Sequence, residues 1–133
     1  MRPTRLRTAR HKNNRPLVPI FGTWYITCMN LVGLDVVTAL IDREKRLRPA
    51  QGRTLDRRMA AWKAELERAT WKDPMKLKAV FGTADVVGNS RVVFDICGNT
   101  YRLVVQFNYA AQVARVRFAG THAEYDKIDA TTV

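Results

Sequence analysis

Residues 91–118 read RVVFDICGNTYRLVVQFNYAAQVARVRF, and this stretch decides the fold. Val92, Phe94 and Ile96 alternate with Arg91, Val93, Asp95 and Cys97. Tyr101, Leu103, Val105 and Phe107 alternate with Thr100, Arg102, Val104, Gln106 and Asn108, and Ala114, Val116 and Phe118 alternate with Val113, Arg115 and Arg117. A period of two is that of a strand with one buried face, so three such strands are predicted. Gly98-Asn99 suits a two-residue hairpin loop with glycine first. It pairs Cys97 with Thr100, hence Asp95 with Arg102 and Phe94 with Leu103. A four-residue loop over 109–112 pairs Asn108 with Val113, Gln106 with Arg115 and Val104 with Arg117. Both registers place the same apolar residues on one face, and a slip of one residue would reverse every side chain.

The other face of this sheet then collects Arg91, Asp95, Arg102, Gln106, Arg115 and Arg117. Four arginines on one small face can bind phosphates, because a guanidinium fork matches phosphate oxygens in pairs. The plain alternative is a solvated face, with Asp95–Arg102 a cross-strand ion pair worth at most about 1 kcal/mol.

Upstream of the strands the period lengthens. Val36, Val37, Leu40 and Ile41 recur at helical spacing, which predicts a helix over 35–47, ended by Pro49. After a Pro-Ala-Gln-Gly turn, Leu55, Met59, Trp62 and Leu66 form one stripe of a helix from about Thr54 to Ala69. These four are expected to face Phe94, Leu103, Val105, Val116 and Phe118. Asp73-Pro74 opens a short helix, Asp as cap and Pro in the first position, where its missing N–H costs nothing. Lys76 and Lys78 ride on that helix. Residues 29–33 suit a short strand. Downstream, Gly120 ends the third strand and Thr121-His122-Ala123-Glu124 is a capping box that starts a last helix.

A chain of 133 residues, 47% hydrophobic, is long and apolar enough for one packed domain. It has 23 Lys and Arg against 12 Asp and Glu, a formal charge of +11. That excess attracts polyanions, so nucleic acid or a ribosome is the natural partner. Residues 1–15 hold six basic side chains and no acid, which leaves residues 16–133 at +5. Residues 1–28 are therefore read as a basic flexible extension and residues 29–133 as the domain, with Met29 an alternative start that should leave the fold intact. Pro19, Gly22 and Asn30 interrupt the apolar stretch 17–34, so no membrane span is expected. Cys28 and Cys97 lack metal-ligand spacing, and with two histidines in the chain no metal site or cofactor is expected. Two thiols in a cytoplasmic protein is the simplest reading.

His122 and Tyr125 fall in the first turns of the last helix, next to Arg117 at the strand end. A titratable imidazole, a phenol and guanidiniums meeting at one corner are the groups that metal-free RNA cleavage needs. One removes the proton of a ribose 2′-hydroxyl, another protonates the leaving oxygen, and the cations stabilise the phosphate.

Several strings carry a resemblance to a known family: Trp71-Lys72 with Leu77-Lys78, Arg91-Val92-Val93-Phe94, Gly98-Asn99, Tyr101-Arg102-Leu103-Val104, and Gly120-Thr121-His122-Ala123-Glu124-Tyr125-Asp126-Lys127-Ile128. Together they resemble the HigB family of RelE-like toxins over about residues 29–133, most tightly over 91–129. The resemblance implies a RelE-like α+β fold, with N-terminal helices packed on a small antiparallel sheet and a short C-terminal helix. It also implies a toxin of a bacterial toxin–antitoxin pair that cleaves mRNA without a metal, often on the ribosome. Its implied partner is a helix-turn-helix antitoxin of the HigA kind. Carried onto this chain, Arg102, Arg117, His122 and Tyr125 become the active-site candidates, with Asn99 and Lys127 as supporting contacts. Arg91, Arg115 and Lys78 complete the expected RNA-binding set.

The chain departs from the family pattern at three places. Asp95 stands where Asn is usual, Cys97 where Gly is usual and Thr100 where Lys is usual, which lowers the positive charge near Arg102. Two other readings compete. One is a non-catalytic module that binds RNA or ribosome through the arginine face, and the other is a gyrase-inhibiting toxin of the ParE type, against which the His-Ala-Glu-Tyr segment argues.

Overall fold

The computed structural model describes residues 28–133 in full and, before them, the backbone of residues 17–20 and 23–26. The basic tail lies outside the described residues. Strands β1 (Leu17–Ile20) and β2 (Thr23–Ile26) form an antiparallel hairpin inside the stretch expected to be a flexible extension. Then follow β3 (Asn30–Val32), α1 (Leu34–Leu47), α2 (Pro49–Glu67), α3 (Pro74–Val80), β4 (Asp85–Val87), β5 (Arg91–Ile96), β6 (Tyr101–Asn108), β7 (Val113–Thr121) and α4 (His122–Tyr125). The fold is α+β. Helices α1 to α3 contribute to one core with the inner face of a five-stranded sheet ordered β3-β7-β6-β5-β4.

The β5–β6 register is the expected one, with Asp95 opposite Arg102 and Phe94 opposite Leu103. In the turn, Thr100 N–H donates to the Cys97 carbonyl at 3.2 Å, and Cys97 and Gly98 both take positive φ, +57° and +68°. Left-handed backbone suits glycine and strains a cysteine. Cys97 thus occupies a conformation that glycine would adopt without strain.

The sheet departs from the expected small antiparallel one in two ways. It is mixed, because β3 runs parallel to β7 with Leu31 opposite Ala114, and β4 adds an edge strand that no alternation announced. The β6–β7 ladder begins as expected, Asn108 opposite Val113 and Gln106 opposite Arg115, but shifts after Val105–Val116. Val104 then faces Phe118 rather than Arg117, so Arg117 is an extra residue in a β-bulge. The bulge turns Phe118 away from the core in which it was expected. Its ring instead lies 6.4 Å from that of Tyr125.

On the inner face the helical stripes are as read. Leu55, Met59, Trp62 and Leu66 are all buried, and Trp62 meets Phe94 edge to face at 5.5 Å. Helix α2 starts earlier than expected, since the Pro-Ala-Gln-Gly segment is its first turn, with Pro49 at the position that needs no N–H. Gly52 is there for closeness. A Cβ would sit 2.5 Å from the Lys45 backbone nitrogen of α1, so only hydrogen fits between the two helices. Nearby, fully buried Glu44 accepts from the Tyr101 hydroxyl at 2.5 Å and from Arg48 at 3.2 Å. Burial and then that carboxylate push the Tyr101 phenol up to about 12. The pair ties the end of α1 to the start of β6.

The outer face is not bare. Val93 and Val104 point to it and are buried. Thr131 carbonyl accepts from Asn89 Nδ2 at 2.7 Å, while Val133 carbonyl accepts from Arg91 Nη2 at 2.7 Å and from Arg117 Nε at 3.2 Å. Since Arg91 is on β5 and Arg117 on β7, the C-terminal residues must cross β6 between them, over Val104. Met29 is fully buried and its amide donates to Ala69 carbonyl at 3.2 Å, with Cys28 buried beside it. A chain begun at Met29 would place a terminal ammonium there, which weighs against the expected harmless start. Cys28 and Cys97 are not joined in a disulfide. Among the described residues no helix is long and apolar enough to cross a membrane.

Candidate active site

The site is built around the start of α4, which is held from three sides. Thr121 Oγ1 accepts from Glu124 N–H at 3.1 Å, and Glu124 Oε1 accepts from Thr121 N–H at 2.9 Å, the reciprocal capping box read from the sequence. His122 N–H donates to Thr100 carbonyl at 3.0 Å, fastening the helix to the β5–β6 turn. The third hold comes from α1, where Arg43 forks onto Glu124 with Nη1 to Oε2 and Nη2 to Oε1 both at 2.9 Å. This planar, bidentate pair, together with the Thr121 backbone N–H, lowers the Glu124 carboxyl from its ordinary 4.5 to about 2.

That shift has a sign that can be checked. A depressed carboxylate pKa stabilises the fold above about 4.5, and the contribution is lost as pH falls towards about 2. Arg43→Ala should therefore unfold at lower urea than the parent at pH 6, and the gap between the two should narrow as pH falls through that window. Parallel stability curves from pH 6 to pH 2.5 would show that Arg43 and Glu124 are not coupled.

On this platform Arg102 and Tyr125 meet. The Arg102 guanidinium carbon lies 4.9 Å from the centre of the Tyr125 ring, Nη2 donates to Asn99 Oδ1 at 2.8 Å, and Nε is 3.1 Å from Asp95 Oδ1. The Nε–H is not aligned for a hydrogen bond with that carboxylate, so the Asp95 contact is an ion pair by distance alone. Phe118, delivered by the bulge, backs the Tyr125 ring. Among the described residues Arg102 Nη1 makes no hydrogen bond, which leaves one edge of a fixed guanidinium open. One turn back, His122 Nδ1 lies 3.2 Å from Asp126 Oδ2, an arrangement that orients the imidazole and turns Nε2 outward from the pair.

The structure sorts the expected residues into two groups. Arg102, Tyr125, Asn99 and His122 come together at the α4 end of the sheet. Arg117 is exposed at the bulge and its Nε is engaged by Val133 carbonyl. Arg91 is buried and donates to the carbonyls of Asn89 and Val133, so it fastens the C-terminal segment. Arg115 is exposed four residues along the β6 partner strand from Arg102, roughly 13 Å away at the rise of a strand, in a shallow groove with Gln106, Asn108 and Tyr109. Lys78 donates to Ala84 carbonyl at 2.6 Å, bracing the loop after α3. Lys127 is exposed just past α4. Two residues escaped the sequence reading. Asp126 was visible in principle as the residue four after His122. Arg43, 81 positions from its partner, had no local signal.

A sequence model of the HigB toxin family, described as the RelE-like toxic component of a toxin-antitoxin system, matches residues 56–128, just over half of the chain. This chain belongs to the HigB toxin family. The match runs from the buried stripe of α2 to just past α4, so it takes in Arg102, Arg117, His122 and Tyr125 together with the sheet that holds them. Membership makes the chain a toxin component and implies a cognate antitoxin as its partner. Comparison with curated proteins finds no match.

Proposed function

We propose that this HigB-family toxin is an RNA endonuclease that cuts mRNA without a metal, by attack of a ribose 2′-hydroxyl on the adjacent phosphate. One observation carries the reading: Arg102 is locked over the Tyr125 ring at 4.9 Å, at the foot of a helix that begins with His122. The open edge of Arg102 is free to hold a phosphate oxygen while Asn99 braces its other side, and Arg117 and Lys127 add positive charge further out on β7 and just past α4. His122 and Tyr125 share the proton transfers. One takes the proton of the 2′-hydroxyl as that oxygen bonds to phosphorus, and the other protonates the 5′ oxygen as its bond to phosphorus breaks. Arg102 and Arg117 stabilise the charge that gathers on the phosphate in between. Arg115 is placed to hold the strand further along the sheet.

The same reading has the toxin act in the cytoplasm on mRNA held by the ribosome, with an antitoxin of the helix-turn-helix, HigA-like kind. It takes residues 29–133 as the toxin domain. The chemistry dictates the products, a 2′,3′-cyclic phosphate on one fragment and a 5′-hydroxyl on the other. Both should form at an undiminished rate in EDTA. Cleavage that stops in EDTA and returns with magnesium would overturn the mechanism and leave the toxin assignment standing.

A further inference from the structure

Residues 43–58 read REKRLRPAQGRTLDRR, seven basic and two acidic side chains, or +5 in 16 residues. Residues 28–133 as a whole contain 17 basic and 12 acidic side chains, again +5. Outside this one stretch the described chain is therefore balanced, ten against ten. On the sheet face Arg91 is buried, Arg102 is beside Asp95 and Arg117 is engaged by a carbonyl, which leaves Arg115 as the exposed arginine there with no carboxylate partner among the described residues. The larger positive excess lies on the corner where α1 turns into α2.

The corner is both open and stiff. Arg46, Arg53, Arg57 and Arg58 are exposed, and among the described residues no carboxylate stands within ion-pair distance of them. Lys45–Asp56 at 2.8 Å and Arg48–Glu44 at 3.2 Å pair at its margins. Arg53 and Arg57 are one turn apart on the same side of α2. Gly52 holds the two helices in backbone contact, and Glu44 anchors them to Tyr101, so the guanidiniums stand on a fixed base. The corner also adjoins the candidate active site. Arg43 reaches Glu124 of α4, and Arg58 shares the walls of a cavity of about 360 Å³ with Asp95, Cys97 and Gly98 of the β5–β6 turn.

We infer that the α1–α2 corner is a second RNA-contact surface, which grips the phosphate backbone of a base-paired RNA next to the strand that is cut; the last clause rests on the nuclease reading, the grip does not. Arginines present paired donors suited to phosphate oxygens. The stretch contains no aromatic residue, so it lacks the stacking platform on which single-stranded bases are held, and a backbone-reading surface for an A-form helix is what remains. Leu47 is its one exposed large apolar side chain, whereas a protein partner calls for a buried apolar or aromatic centre.

The test uses the full chain and a roughly 16-base-pair RNA duplex, the length a shape-reading domain spans. Arg53→Ala/Arg57→Ala should weaken duplex binding and flatten the fall of log K with log salt by about 0.9 for each lost contact, taking the duplex DNA figure. Lys72→Ala/Lys76→Ala, the same change of charge at exposed positions just before α3 and on it, should leave the slope close to the parent's. Equal effects from the two double variants would reduce the corner to net charge and overturn the inference. So would unchanged duplex binding in the arginine variant, including the case where it loses only the antitoxin. Single-strand cleavage is measured in parallel. A parent that grips the duplex in an arginine-dependent way but cleaves nothing supports the corner while sinking the nuclease reading, and a cleaving parent with an inert corner does the reverse.

Discussion

His122→Ala should lower single-turnover RNA cleavage by about 10²–10⁴-fold, the range for a positioned proton donor or acceptor. The loss should be chemical and not structural. The bonds that hold α4 are made by Thr121, Glu124 and Arg43, and the hydrogen bond from residue 122 to Thr100 uses the backbone, which alanine keeps. RNA affinity should stay within a few fold of the parent, because Arg102 and its partners are untouched. Asp126→Ala should fall between parent and His122→Ala, since it removes the group 3.2 Å from Nδ1 and leaves the imidazole in place. Tyr125→Phe keeps the ring beneath Arg102 and beside Phe118 and deletes only the hydroxyl. Full activity in His122→Ala with an inactive Tyr125→Phe would move proton transfer to the phenol and the arginines. Full activity in both would remove the chemistry from this corner altogether.

What the sequence showed of this site, and what it hid, follows from how far each signal reaches. Strand alternation and the two turns are local, so β5 and β6 and their register were legible down to the Asp95–Arg102 pair. The bulge at Arg117 was not, because one inserted residue leaves the hydrophobic alternation intact while reversing which side follows it. Phe118 therefore looked like core and is in fact the backing of Tyr125. Strand β3 was visible as a short apolar run, but its parallel pairing with β7 joins residues about 80 positions apart and carries no turn signature. The arginine face was read from a pattern that cannot see the C-terminal segment crossing it. That crossing, through Asn89, Arg91 and Arg117, is what converts Arg91 from an expected phosphate ligand into a fastening. The capping box, being four consecutive residues, was read whole. The hold of Arg43 on it was out of reach of any local rule.

The stability of the platform should depend most on Trp62. Its side chain is buried on the α2 stripe, edge to face with Phe94, which in turn packs on Phe81 and Phe107. Truncation to alanine should cost about 3–5 kcal/mol, transfer and cavity terms together. Against a total of about 5–15 kcal/mol for a domain, that is enough to unfold a marginal one. With a urea slope of about 1–3 kcal/mol per molar, the midpoint should fall by more than about 1 M. Trp62 lines both the 360 Å³ cavity towards the β5–β6 turn and a 240 Å³ groove between α1 and α2, so alanine would join two openings that the surroundings have little material to fill. The contrast with Trp71 sharpens the expectation. Trp62 Nε1 is buried without a hydrogen-bond partner among the described residues, whereas Trp71 Nε1 donates to Leu66 carbonyl at 2.7 Å. Phenylalanine at 62 thus loses ring volume and sheds an unsatisfied donor, while phenylalanine at 71 strands a buried carbonyl at the end of α2, at about 1–3 kcal/mol. Urea midpoints should fall in the order Trp62→Phe, then Trp71→Phe, then Trp62→Ala. A midpoint for Trp62→Ala equal to the parent's would place that side chain outside the core and undo the packing of α2 on which the sheet rests.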